Sequence, residues 1–199
     1  MTLAAQSSGR RERNKQDKLE RITAAARELF EERGVDDVTT QQVADKADIG
    51  TGTLFLYAKT KGELLLLVQN SDYDTALERG IAAAANQKRP VDAVMAILRP
   101  IVECNRTRVD NGRVYLRELM FGDAEEPHHR EALALTQRTE EAVTEVLSRE
   151  SATPPRHALV RARAISSIMF VTLSAPFNVA LTTEQLLDEL SEQIRLLID

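Results

Sequence analysis

Hydrophobic positions recur along this chain at spacings of three and four, and no stretch alternates with the two-residue period of a strand. Leu19, Ile22, Ala26, Leu29 and Phe30 form one helical stripe over about residues 15–33, and Gly34 can end it in a left-handed conformation. Val35 and Val38 lead back to a core before Thr39, whose side-chain oxygen is placed to cap a short helix carrying Val43, Ala44 and Ala47. Asp48-Ile49-Gly50 breaks that run, Ile49 being its one group that needs burial. A second short helix over about residues 51–57 turns Leu54 inward and leaves Thr51, Gly52, Thr53, Phe55 and Tyr57 outside. Two helices of this size cannot close a core alone, and the stripe upstream supplies the third. A tri-helical unit with a small, polar and aromatic surface on its last helix has the shape that a DNA major groove accepts.

The periodicity continues to the end of the chain. A helix over about 61–85 carries Leu64, Leu67, Val68, Tyr73, Leu77 and Ile81, and one over about 91–106 contains Pro100, which predicts a kink or a break. Asp110-Asn111-Gly112 reads as a turn before a short helix over 113–121, and 122–127 as a loop. Longer helices follow over about 128–149, 155–174 and 184–199, the last capped by Thr183. The expected class is all-α with about nine helices: a helix-turn-helix domain over 10–63, a connecting helix over 64–85, and a second helical domain over 86–199. Residues 1–9 are small and polar, and no structure is expected there.

The net charge of -5 alone would argue weakly against nucleic acid, but its distribution changes the picture. Residues 1–70 hold 11 Lys or Arg and 11 Asp or Glu, whereas residues 71–199 hold 15 and 20. Residues 1–30 hold 7 against 4, with Arg10, Arg11, Arg13, Lys15 and Lys18 leading into the tri-helical unit as an arm that could touch a DNA backbone. No apolar run is long enough to cross a membrane, and the single cysteine, Cys104, cannot form an internal disulfide, so a cytoplasmic protein is expected. Cys104 reads as buried filler, and His128-His129 as solvent-facing residues where a loop enters a helix. No phosphate-binding glycine loop, CxxC or HExxH occurs, and neither a cofactor nor a metal is expected.

Residues 19 to 68 resemble the TetR family of bacterial transcriptional regulators. The resemblance rests on Leu29-Phe30, Gly34, Thr39-Thr40, the ordered Gly52-Thr53-Leu54-Phe55 that opens the recognition helix, and Lys61 at the start of the fourth helix. Three positions depart from the family's pattern: Ala58 in place of a phenylalanine, Gly50 in place of a capping serine, and Thr51 in place of a basic residue. The resemblance implies a DNA-binding domain followed by a helical domain for effector binding and dimerisation, hence a homodimeric, ligand-responsive repressor of a pseudo-palindromic operator. An activator of the same architecture, an all-helical enzyme and a protein-binding adaptor are the alternatives.

Carried over by position, Thr40, Tyr57 and Lys61 are expected to hold phosphates, and Gln41, Thr51, Thr53 and Phe55 to lie near base edges, with Arg10 and Arg11 as the arm. For the dimer, Ala158, Ala162, Ile165 and Met169 offer a close-packing face, and Leu187, Leu190, Ile194 and Leu197 an apolar stripe. The alternative is that both faces are used inside the protomer. For a small, mainly apolar effector, Met95, Arg99, Val102, Tyr115, Met120, Leu133, Phe170 and Phe177 are the candidates, with Arg99 meeting an anionic end.

Overall fold

The computed structural model describes residues 3–149 and 154–198, with the backbone alone for residues 3–11 and 155. Among them are nine α-helices, one 3-10 turn at Pro176–Asn178 and no strand, the all-α class that the periodicity predicts. The helices are α1 (Leu3–Arg33), α2 (Thr40–Lys46), α3 (Thr51–Leu54), α4 (Lys61–Ala84), α5 (Pro90–Arg106), α6 (Val109–Phe121), α7 (Pro127–Ser148), α8 (Pro155–Ser174) and α9 (Thr183–Ile198). The chain divides into two compact units, Met1–Val68 and Gln69–Asp199, so the division falls inside α4.

In the first unit Ile22, Ala26 and Phe30 of α1 are buried with Val43 and Ala44 of α2, Leu54 of α3 and Leu64 of α4. Each large side chain so buried stabilises by about 1.5–3 kcal/mol before entropy is counted. Helix α1 begins at Leu3 and not near residue 15, running through Ser7, Ser8 and Gly9 although these residues favour a helix poorly. Gly34 stops it in the left-handed region at φ 86°, its amide bonding the Phe30 carbonyl at 3.0 Å. Thr39 caps α2 in a reciprocal box: its hydroxyl oxygen accepts from the Gln42 amide, and its own amide donates to Gln42 Oε1 at 2.9 Å. The start of α4 is held similarly, Glu63 donating its amide to Thr60 Oγ1 and accepting from the Lys59 amide.

In the second unit the core lies among α5, α7, α8 and α9, with Val94, Ile97, Leu98, Val143, Ile165, Leu186 and Leu190 fully buried. Helix α5 runs unbroken through Pro100. Pro100 has no amide hydrogen for the Ala96 carbonyl, and that carbonyl lies on the side where α4 passes. A Cβ on Gly80 would come within 2.6 Å of the Ile97 carbonyl and 3.1 Å of the Ala96 carbonyl, so only glycine lets α4 and α5 meet this closely. The expected turn at 110–112 is instead the first part of α6, with Asn111 and Gly112 buried. Gly112 gives the reason: it lies so close to Asn105 of α5 that a Cβ would meet the Asn105 carbonyl at 2.1 Å. The glycine serves packing there, not chain reversal.

His129 also departs from expectation. It is buried, and its Nε2 lies 3.0 Å from the Leu119 carbonyl at the end of α6. Gly122 makes room for the ring, since a Cβ there would stand 2.8 Å from His129 Cδ2. His128 and Cys104 are half-buried.

Candidate nucleic-acid interface

Helices α2 and α3 are joined by a four-residue turn in which Asp48 takes a left-handed conformation, φ 52°, with Ile49 half-buried beneath it. The turn is closed by the Ile49 amide bonding the Ala44 carbonyl at 3.0 Å. Leu54 is the one completely buried side chain of α3. Around it Thr51, Thr53 and Tyr57 are half-exposed, and Phe55 keeps 44% of its surface, so the residues expected outside are outside. Ala58, which stands where the family pattern has a phenylalanine, is buried, and its amide donates to the Leu54 carbonyl at 3.1 Å.

The second helix of the pair is shorter than its sequence suggests. It ends at Leu54 instead of about residue 57, and 55–57 continue as a tighter turn in which the amides of Leu56 and Tyr57 bond the carbonyls of Thr53 and Leu54. Gly50 provides no side chain to cap it and Gly52 weakens its first turn. Its amino end is tied instead to α2, where Thr51 Oγ1 donates to Gln41 Oε1 at 2.5 Å.

Two of the three expected phosphate-holding groups are braced by backbone carbonyls. Lys61 Nζ donates to the Asp36 carbonyl at 2.9 Å, and the Tyr57 hydroxyl to the Lys15 carbonyl of α1 at 3.4 Å. Thr40 is half-exposed in the first turn of α2 and Gln41 exposed beside it. Among the surrounding cations, Lys46 pairs with Glu28 at 2.6 Å and Arg21 with Asp48 at 3.6 Å, while Lys15 and Lys18 are exposed on α1. The side chains of Arg10 and Arg11 lie outside the described residues.

In the second unit the effector candidates fall in different places. Val102 and Tyr115 are interior, Met95 and Phe170 half-buried, and Met120, Leu133 and Phe177 exposed. Arg99 sits on the surface, paired with Glu184 at 2.8 Å and Glu103 at 3.7 Å. Sequence reasoning missed a polar cluster around Tyr115. The Tyr115 hydroxyl donates to Asn70 Oδ1 at 3.1 Å, and Asn70 Nδ2 donates to the His128 carbonyl and to Glu131 Oε2. The rings of Tyr115 and Tyr73 stack with centroids 6.4 Å apart, and the Tyr73 hydroxyl bonds Thr139 Oγ1 at 2.9 Å. Burial pushes the Tyr73 pKa up to about 12 and that of Tyr115 well above its ordinary value. A lone Asn or Thr inside a helical stripe gave no sign of this.

The proposed dimer faces are used inside the protomer: Ala158, Ala162, Ile165, Met169, Leu187, Leu190 and Ile194 are buried and Leu197 half-buried. What α8 shows to solvent is its opposite side, with Val160 and Val171 each 59% exposed. No helix among the described residues is long and apolar enough to cross a membrane, and no group of three or more His, Cys, Asp or Glu among them could hold a metal ion.

Residues 22–68 match the model of the bacterial regulatory proteins, tetR family. An HTH-type transcriptional regulator of Staphylococcus aureus is 36% identical over 56 residues, 28% of this chain; the match spans 30% of that protein's length. Two solved structures share the fold over nearly the whole chain. A TetR transcriptional regulator from Rhodococcus sp. RHA1 has a TM-score of 0.70 at 18% identity, over 92% of this chain and 97% of its own. FadR of Thermus thermophilus, a TetR family repressor in complex with lauroyl-CoA, has a TM-score of 0.67 at 24% identity, over 90% of this chain and 92% of its own.

Proposed function

The chain belongs to the TetR family of bacterial helix-turn-helix regulators, and from that premise we propose that it is a homodimeric repressor, held on a pseudo-palindromic operator and released by a small, mainly apolar effector. The observation that carries DNA binding is the division of α2 and α3 into two sides. Val43, Ala44 and Leu54 are buried, while Thr40, Gln41, Thr51, Thr53 and Phe55 keep exposed surface on groups that pair with phosphates and base edges. One such unit covers little duplex, so useful affinity calls for two related by a two-fold axis.

The dimer is supported by the outward side of α8, where Val160, Ala164, Ser167 and Val171 follow one another at spacings of four and three. Small residues between two exposed valines allow close helix approach, and Phe177, which lines the same groove as Val171, is 80% exposed. For the effector, the Tyr73–Tyr115–Asn70 cluster offers orienting hydroxyl and amide groups inside an apolar core. The lauroyl-CoA held by the Thermus protein makes acyl chains of that length, as free fatty acids and as CoA thioesters, the first ligands to try.

The test is selection of bound duplexes from a random pool, followed by gel retardation on the selected site with and without these fatty acids and acyl-CoAs. A palindrome should be selected and retarded, and an effector should release it. Lys61→Ala should weaken binding to all sequences alike and lower the salt slope by about 1. A protein that prefers no duplex over random DNA sinks the proposal.

A further inference from the structure

We propose that Asp45 is a positioning residue for sequence readout: together with Thr51 it fixes which way the Gln41 amide faces, and so which base Gln41 accepts. This rests on the first unit binding DNA as proposed above. Gln41 is an exposed side chain with both amide atoms engaged. Its Nε2 donates to Asp45 Oδ1 at 2.7 Å, and its Oε1 accepts from Thr51 Oγ1 at 2.5 Å. A carboxylate only accepts, so the atom facing Asp45 must be the amide nitrogen, and the oxygen is left to the Thr51 hydroxyl, which donates. Chemistry alone therefore sets an orientation that is ambiguous for most glutamines.

Each amide atom keeps one valence, a second N–H on Nε2 and a second lone pair on Oε1. That donor and acceptor pair matches N7 and the N6 amino group of adenine. Asp45 follows Gln41 by four residues and so shares its face of α2. Thr51 opens α3, whose own cap position, Gly50, has no side chain, so the same bonded chain also fixes where α3 starts relative to α2. An orientation fixed before binding need not be fixed on the DNA, which favours the matching base over the others. A carboxylate near phosphates works against affinity; holding Gln41 gives Asp45 a use at that place.

The experiment measures affinity for the selected operator and for duplexes substituted at each half-site position. It compares the parent with Asp45→Asn, Gln41→Ala, their double variant and Thr51→Val. An asparagine can donate or accept, so Asp45→Asn frees the amide to turn. The parent should discriminate at one position per half-site by about 5–150-fold, the range for a bidentate contact. Asp45→Asn should leave less than about threefold at that position only, keep the salt slope, and have no further effect beside Gln41→Ala. Thr51→Val, which removes the other anchor, should lose discrimination at the same position. Affinity raised equally for every duplex by Asp45→Asn would mean that its charge alone matters, and would overturn the proposal. So would loss at different positions in the Asp45 and Thr51 variants. A parent that retards no duplex specifically refutes DNA binding itself and this inference with it.

Discussion

Tyr73 illustrates how far a single residue's chemistry is set by its surroundings. Its hydroxyl bonds Thr139, which is buried and gives its own hydrogen to the Leu135 carbonyl, so Tyr73 is the donor. Burial raises its pKa from 10.0 to about 12. A phenol whose folded pKa lies above its unfolded value contributes stability that is complete below pH 10 and is lost as pH rises from 10 through 12. In that window the unfolded chain sheds a proton that the folded one keeps, at up to about 1.4 kcal/mol per pH unit. Urea unfolding between pH 9 and 11.5 should therefore show stability falling with pH, and Tyr73→Phe, although weaker at pH 8 through its lost hydrogen bond, should fall less steeply. Equal slopes in the two proteins would place the Tyr73 hydroxyl in an environment as wet as the unfolded chain. Below pH 10 the hydroxyl remains protonated and serves as a hydrogen-bond donor.

At the scale of the element, α3 is the weakest helix relative to its task. Gly50 stands at its cap in an ordinary extended conformation, φ -71° and ψ 144°, and a Cβ there would meet nothing within 4 Å. Gly50→Ser should thus be accommodated without strain. A serine cap and a less flexible unfolded chain should together add about 0.5–1 kcal/mol. The local check is amide exchange: the Leu54 and Phe55 hydrogens should exchange more slowly in Gly50→Ser, and an unchanged rate would show that the Thr51–Gln41 tie already limits opening. This weakness was legible in the residues, since the missing cap at Gly50 stands out against the Thr39 box. The length of α3 was not, because nothing in Phe55-Leu56-Tyr57 says that the turn tightens after Leu54. Likewise the stripe of α1 marked which of its faces is buried but not its start at Leu3, since Ser7, Ser8 and Gly9 carry no helical signal and no apolar stripe runs through them. Gly112 and His129 were misjudged for one reason. Glycine and histidine near helix ends usually mark turns and solvent, whereas here a close approach of α5 to α6 and a ring under α6 decide their positions. Such contacts depend on which helices become neighbours, which local spacing does not encode.

For the whole molecule, the proposed binding to a palindromic operator calls for two first units, and so for a way to attach a second copy. The stripe of Ala158, Ala162, Ile165 and Met169 that the sequence singled out for this is buried in the protomer's own core, which leaves only the other side of α8 open to a second copy. A charge at Ile165, which is completely buried, should unfold the second unit and say nothing about assembly. Val171 is different: it is 59% exposed and lies with Ile168, Phe177 and Gln193 along a shallow groove formed by α8, the turn after it and α9. Val171→Glu should fold as well as the parent, since its side chain touches water already. If two copies meet across this face, two carboxylates would be brought close to each other in an apolar seam, a like-charge cost that the dimer cannot relieve by small shifts. Sedimentation should then show a folded monomer. Operator affinity should fall by about 10²–10⁴-fold, the gain that linking two binding modules usually provides, while binding to a single half-site stays as it was. The separation of these two DNA measurements is what locates the effect in assembly, because damage to α2 or α3 would lower both. A Val171→Glu protein that sediments as the parent does and holds the full operator equally well would put the interface elsewhere on the second unit.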